Sequence, residues 1–313
     1  MASVLCEPYF TDEQAAFDRL EAIVWPNGIV CPHCGTVGRA RALEGVKGKT
    51  GKLTIGRKKC YACRKQFTVR VGTVFESSHV PLHMWFQAAY LMCSSKKGIS
   101  SNQLHRTLGV TLKTAWFMSH RLREAMHILQ IGPLGGPERF VEADETFVGG
   151  KARNRAYRKP APKKAVVSLV ERQGRVRSRH IADVNADNLK PILRTGIDKT
   201  SHLRTDESGV YWKVGEEFAS HRTVNHSAKE YVRGDAHTNT AEGYFSILKR
   251  GIYGVYQHVS ARHLHRYLAE FDFRYNQRVA LGINDSGRTE AALRGIVGKR
   301  LTYRGSPVGP LTV

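Results

Sequence analysis

Two CxxC pairs, Cys31-Pro-His-Cys34 and Cys60-Tyr-Ala-Cys63, with twenty-five residues between them, constrain this chain more than any other feature. Each knuckle supplies two thiolates, so together they offer four ligands for a tetrahedral Zn2+ with a hairpin between them, whereas a redox pair needs only one CxxC. The spacing predicts a structural zinc ribbon with Cys31, Cys34, Cys60 and Cys63 as the metal ligands. His33 lies inside the first knuckle and is read as a spectator, because four cysteines already fill the shell. Cys6 and Cys93 have no pairing spacing and are read as core residues.

Between Thr36 and Arg70 the chain carries eleven Lys plus Arg and one acid, Glu44. The ribbon therefore presents positive charge suited to a phosphate backbone, with Lys58, Lys59 and Arg64 as expected DNA contacts. The same bias runs through the whole chain: 49 Lys plus Arg against 27 Asp plus Glu leave a net charge of +22 over 313 residues. So large an excess in a chain of globular composition points to a polyanionic partner, nucleic acid first. The first residues, Met-Ala-Ser-Val-Leu-Cys-Glu-Pro, have no secretory pattern, and no apolar run is long enough to span a membrane. A cytoplasmic protein is expected, where six cysteines are not a disulfide framework.

The first thirty residues break the bias, holding five acids (Glu7, Asp12, Glu13, Asp18 and Glu21) and one base, Arg19. Ala16, Phe17, Leu20 and Ile23 recur there at helical spacing. This predicts a short helix over 11–24, capped by Thr11 or Asp12 and packed on the next segment of the chain rather than on DNA. Residues 81–93 are apolar around most of a helical circumference, which predicts a buried helix. Next, a helix capped near Ser100 ends at Gly109, and a second opens on Thr111 and turns Ala115, Met118 and Leu122 inward. That is the layout of a helix-turn-helix, whose second helix enters a DNA groove. Lys113, Thr114, His120, Arg121 and Arg123 are its candidate DNA-binding residues.

Gly132-Pro-Leu-Gly-Gly-Pro-Glu138 is a linker by composition. Beyond it, residues 139–148 alternate as a strand, with Phe140, Glu142, Asp144 and Thr146 on one face and Val141, Ala143, Glu145 and Phe147 on the other. An Asp in mid-strand is unfavourable unless it binds something. Residues 151–164 hold seven bases and no acid, a basic loop. Strands follow over 164–170 and 175–184, then a helix over 185–195, then a fourth strand over 201–206 that ends in Asp206. A short helix over 211–218 and an edge strand over 221–226 come next.

In the helix expected over 239–251, Ala241, Tyr244, Phe245 and Leu248 form an apolar face with Ile252. Glu242 and Lys249 stand two turns apart on its border, with Asn239 one turn before Glu242. A helix over 260–278 backs it through Leu264, Tyr267, Leu268 and Phe271. His221, His226 and His237 are read as structural histidines.

The order of these elements, with Asp144 in the first strand, Asp206 just after the fourth and Glu242 on a late helix, resembles the ribonuclease-H-like fold of DDE transposases. Sixty-one residues separate the two Asps and thirty-five separate Asp206 from Glu242. His-Thr-Asn-Thr-Ala-Glu242, Lys249, the Asp206-Glu-Ser-Gly-Val-Tyr turn and Phe-Arg-Tyr-Asn276 extend the likeness. From Cys31 to about Asn276 the chain closely resembles insertion-sequence transposases of the zinc-ribbon branch related to Merlin elements.

The expected fold class is α/β, a ribonuclease-H-like mixed sheet with helices behind a zinc ribbon and a helix-turn-helix. The expected regions are 1–78 (helix and ribbon), 79–131 (helix-turn-helix), 132–138 (linker), 139–280 (catalytic domain) and 281–313 (a loose, partly helical tail).

Three clustered carboxylates repel one another unless divalent cations neutralise them. The resemblance implies that Asp144, Asp206 and Glu242 hold Mg2+ or Mn2+, with Asn239 as an alternative or auxiliary ligand and Lys249 on a DNA phosphate. Glu142 is a weaker ligand candidate, and Glu145 and Glu207 are read as surface acids. It further implies cleavage of double-stranded DNA at terminal inverted repeats and 3′-OH strand transfer into target DNA. Two ends must be held at once, so a homodimer on DNA is expected, in a bacterial, nucleoid-associated setting. Other readings are a catalytically silent DNA-binding regulator and a ribonuclease-H-like nuclease without strand transfer.

Overall fold

The computed structural model describes residues 3–47, 51, 53–127, 132–149, 162–225 and 232–302. The basic segment 151–161, His226, most of the stretch from Lys229 to Arg233 and the tail beyond residue 302 lie outside the described residues. The chain divides into two compact units, one made of residues up to 95, 99–127 and those from 285 onward, the other of 96–98 and 128–284.

In the first unit, α1 (Glu13–Val24) starts where the Asp12 carboxylate accepts the Ala15 N–H at 2.7 Å, and it buries Ala16, Phe17, Leu20 and Ile23. The ribbon is a small antiparallel sheet of β1 (Ala40–Ala42), β2 (Lys58–Cys60) and β3 (Gln66–Phe67). Helix α2 (Leu82–Ser94) is buried on most sides and has no cap of its own; the Glu13 carboxylate of α1 accepts Leu82 N–H at 2.6 Å and His83 N–H at 3.2 Å instead.

Helices α3 (Ser101–Leu108) and α4 (Leu112–Met126) start on the Ser100 and Thr111 hydroxyls, and Gly109, at φ 65°, makes the left-handed turn between them. Helix α9 (Asp285–Arg294) packs on α2, α1 and α4. The segment expected as a loose tail thus belongs to this unit, where Arg288 donates to the Cys93 carbonyl at 2.8 Å and Lys299 to that of His127 at 2.7 Å. Ribbon and helix-turn-helix share one unit rather than forming two regions.

The second unit is built on a five-stranded sheet in the order β6-β5-β4-β7-β8, with β4 (Phe140–Val148), β5 (Lys164–Glu171), β6 (Val176–Ile181), β7 (His202–Asp206) and β8 (Ser220–Val224). The first three strands form an antiparallel meander, and β4, β7 and β8 run parallel. Both faces are covered, which is why β5 reads as a continuous apolar run. On one face Val141, Ala143, Val167 and Leu169 pack with Leu189, Leu193 and Tyr211 from α5 (Ala186–Gly196) and the turn before α6 (Trp212–Gly215). On the other, Val166, Val170 and Val176 pack against α7 (Asn239–Gly251) and α8 (Ala261–Asn276) through Tyr244, Leu248, Leu268 and Phe271.

The expected linker is docked rather than free. Leu134 is buried in the α5-side core and pairs with Ile197, and Gly135, at φ 88°, passes so close to the Ser201 hydroxyl that a Cβ would sit 2.1 Å from it.

Candidate active site and zinc centre

The register of the two central parallel strands creates the site. β4 pairs with β7 only over Phe140↔His202, Val141↔Leu203 and Glu142↔Arg204; beyond these positions β4 runs on to Val148 while β7 ends at Asp206. The chain leaves β4 towards β5 on one side and β7 towards β8 on the other, so the fork lies at a switch point where open sheets commonly bind ligands. Asp144, Glu145 and Asp206 meet there, with one carboxylate oxygen from each lying within 4.8 Å of the others, all half-buried.

Glu145 is a correction to the reading of it as a surface acid. Its backbone N–H donates to Asp144 Oδ1 at 2.7 Å, and its carboxylate accepts the hydroxyl of the fully buried Tyr211. Burial, with the charges of Asp206 and Asp144, pushes the Glu145 carboxyl up to about 7 even against the Tyr211 hydrogen bond. Tyr211 is raised well above its ordinary range by burial and by Glu145. Three carboxylates crowded together, with the charged form of one disfavoured, are the donor set that a divalent cation relieves, and the oxygen ligands suit Mg2+ or Mn2+.

Helix α7 spans the residues expected for it. Ala241, Tyr244, Phe245 and Leu248 are buried, while Asn239, Glu242 and Lys249 are exposed along it. Among the described residues Glu242 is not one of the three acids that converge at the fork. Glu142 is not a ligand there either. It is fully buried, and its carboxylate accepts Thr240 N–H at 2.8 Å, Ala241 N–H at 2.9 Å and the Thr240 hydroxyl at 2.9 Å. Arg172 Nε donates to the same carboxylate at 2.6 Å, and His237 Nδ1 lies 3.2 Å from it without the alignment of a hydrogen bond.

Helix α8 seals the outer edge of β6. Asn276 offers its carbonyl to Val176 N–H at 2.6 Å and its amide to the Val176 carbonyl at 2.9 Å, copying what a sixth strand would do. One turn earlier, Asp272 accepts Ser178 N–H and the Ser178 hydroxyl, each at 2.7 Å. These contacts give Phe-Arg-Tyr-Asn276 its structural meaning.

In the ribbon the four cysteines converge, with Cys31 Sγ 3.7 Å from Cys63 Sγ and Cys34 Sγ 3.7 Å from Cys60 Sγ. Four sulfurs at Zn–S distances of about 2.3 Å in a tetrahedron stand ~3.8 Å apart, so the cluster fits zinc as it stands.

The expected DNA contacts separate by burial. Lys113, Arg64 and, partly, Lys59 and Thr114 are exposed, whereas Lys58, His120, Arg121 and Arg123 are buried. Lys58 pairs with Glu21 at 2.8 Å. Arg121 donates to the carbonyls of Glu76 and Leu301, Arg123 donates to the Ser119 hydroxyl, and His120 stacks near Trp116 at 4.2 Å. These four side chains hold the unit together instead of facing DNA.

A 3-2-1-4-5 mixed sheet with helices on both faces and acids at the fork of its central parallel strands defines a ribonuclease-H-like domain of the DDE type. Residues 133–276 match the ISXO2-like transposase domain, and residues 11–66 match the transposase zinc-ribbon domain. The chain accordingly belongs to the insertion-sequence transposases that join an N-terminal zinc ribbon to an IS1595-type DDE domain. It is also similar to an uncharacterized protein in transposable element ISH50 of Halobacterium salinarum, 29% identical over 283 residues that make up 85% of this chain and 91% of the relative. That relative is archaeal, so the likeness is not confined to the bacterial setting expected from sequence. Among the described residues no helix is long and apolar enough to cross a membrane.

Proposed function

We propose that the protein cuts DNA at the terminal inverted repeats of its own element and joins the freed 3′ ends to target DNA. The observation that carries this reading is the convergence of Asp144, Glu145 and Asp206 at the fork between β4 and β7. Asp144, Asp206 and Glu145 would hold Mg2+ or Mn2+, with Glu242 and Asn239 of α7 as the candidates to complete the shell. A divalent cation in such a site supplies Lewis-acid stabilisation of charge on a phosphoryl group.

The chain's own residues bind and orient the DNA. Lys249, on the exposed border of α7, holds a backbone phosphate as a point charge. Lys113, Thr114, Lys59 and Arg64 face the repeat DNA. In the first step a water oxygen bonds to the scissile phosphorus as the bond to the 3′ oxygen breaks; one water proton passes to solvent, and the leaving 3′ oxygen takes a proton from solvent to become a 3′-OH. In the second, that 3′ oxygen bonds to a target phosphorus and gives its proton to solvent, while the bond to the target 3′ oxygen breaks and that oxygen leaves as a 3′-OH with a proton from solvent. Because two ends must be held together, the working form is a homodimer on DNA.

The test is cleavage and joining of repeat-ended DNA in Mg2+ or Mn2+. Asp144→Ala and Asp206→Ala should abolish both steps while repeat binding stays near that of the unaltered protein. Cleavage that survives either change removes the reading. Binding without cleavage by the unaltered protein would make it a silent regulator, and cleavage without joining would make it a nuclease.

A further inference from the structure

Helix α7 begins without a capping side chain of its own: Thr238, at its N-cap, makes no side-chain cap bond. The amides of its first turn would be left without partners at the helix end. Glu142 supplies the missing acceptor from another element, taking Thr240 N–H at 2.8 Å and Ala241 N–H at 2.9 Å on one oxygen and the Thr240 hydroxyl at 2.9 Å on the other. The carboxylate is fully buried, and its charge is balanced by the positive end of the helix and by Arg172 at 2.6 Å. Arg172 also donates to the His237 carbonyl at 2.9 Å, which holds the approach to the helix in the same cluster.

The position of this clamp matters more than its existence. Along β4, Glu142 is two residues from Asp144, a rise of roughly 6.6 Å; along α7, Ala241 is one residue from Glu242, a rise of about 1.5 Å. The clamp therefore ties the acid-bearing strand to the start of α7 by a very short path. We propose that Glu142 is a positioning residue for the reaction, setting where Asn239 and Glu242 stand relative to Asp144. It touches neither DNA nor the reacting atoms. This inference rests on the transposase reading of the site. A shift of about 1 Å in reacting groups costs on the order of a hundredfold in rate, so loosening the clamp should slow cleavage by roughly 10- to 100-fold.

The experiment measures single-turnover cleavage of pre-bound repeat DNA by the full chain, with the Mg2+ concentration at half-maximal rate and the unfolding midpoint measured alongside. Glu142→Gln leaves Arg172 unpaired, so a loss of stability alone would prove little. The double variant Glu142→Gln/Arg172→Gln removes that stranded cation. It should recover most of the stability while cleavage stays at least tenfold slow and half-saturation moves to higher Mg2+. Hydrogen exchange at the Thr240 and Ala241 amides should rise in both variants, with the rest of α7 unchanged.

Recovery of rate together with stability would show a merely structural role and overturn the inference. Should the Glu142 variants fail to fold, Thr240→Val removes one bond to the carboxylate and should slow cleavage two- to fivefold; an unchanged rate there overturns it equally. Asp144→Ala is the control. Cleavage by that variant sinks the functional reading itself, whereas a dead Asp144→Ala beside a fully active double variant sinks only the role given to Glu142.

Discussion

The Tyr244 hydroxyl donates to the half-buried Asp272 carboxylate at 2.6 Å, fastening the middle of α7 to α8 two residues after Glu242. The same carboxylate takes both hydrogen-bond donors of Ser178 on β6, so one side chain joins two helices and the sheet edge. Asp272→Asn should lower stability by about 2 kcal/mol, because an amide keeps one acceptor oxygen where the carboxylate uses two to take the Ser178 N–H and two hydroxyls. Tyr244→Phe, which leaves the two bonds from Ser178 to Asp272 in place, should cost about 1 kcal/mol. Equilibrium unfolding in urea checks both, and an Asp272→Asn protein as stable as the unaltered one would show that the network is dispensable.

The ribbon should hold one zinc per chain, as measured by elemental analysis of purified protein. Cys60→Ser should bring that content from about one to near zero and disorder the ribbon, because binding energy in such sites is folding energy. Zinc retained at full stoichiometry by Cys60→Ser would mean that the metal sits elsewhere.

Burial sorts the basic residues into two groups with different expected behaviour. Lys113→Ala and Arg64→Ala should each weaken binding to repeat DNA and reduce the slope of log K against log salt by about 1, with stability unchanged. Arg121→Ala should instead lower the unfolding midpoint, since its guanidinium serves the carbonyls of Glu76 and Leu301. If Arg121→Ala altered the salt slope and left stability alone, the assignment of these side chains would be reversed.

Arg204, only 2% exposed, is paired with Asp235, whose other oxygen takes Arg222 at 2.7 Å. The Arg204 hydrogen bond holds the Asp235 carboxyl down at about 2, below its ordinary value. A carboxyl depressed in the folded state contributes stability that is complete above its unfolded pKa and lost as pH falls through the folded one. The loss should therefore run from about pH 4 to pH 2. Asp235→Asn should cost about 2 kcal/mol at pH 7, less than a fully buried pair because Asp235 is one-third exposed, and should flatten that acid limb. Urea midpoints at pH 7 and pH 3 decide: equal sensitivity to acid in both proteins would locate the effect elsewhere.

The helices and strands were legible because each carries its own period. α7 reads from Asn239 to Gly251 through one apolar face, and α4 from the Thr111 cap. Alternation along β4 correctly separates Val141 and Ala143 from Glu142. It also sets Glu145 on the face of Val141 and Ala143, where Tyr211 holds its carboxylate; what failed was reading that acid as exposed, because beyond Glu142 the strand has no partner on the β7 side and the acids close in on the fork. There the Asp144 side chain folds back onto the Glu145 amide, and the two acids share one crevice. No local pattern announces that fork, which is set by where β7 stops. Arg121 shows the second kind of miss: its carbonyl partners lie 45 and 180 residues away in sequence, so residue type alone argues for exposure. For Glu142 the signal was present, a charge in mid-strand, but its partner is a helix terminus 98 residues on.

Helix α9 lies in the core of the unit that carries the ribbon and the helix-turn-helix, yet it comes after the whole catalytic domain along the chain. During synthesis the whole DDE domain is made before the last piece of the other unit. Closing that unit means bringing Arg288 to the Cys93 carbonyl across 195 residues, a pairing of high sequence separation that is slow in any chain. A ribosome that stops short of residue 285 releases a chain whose catalytic sheet can be whole while the unit with the ribbon lacks part of its core.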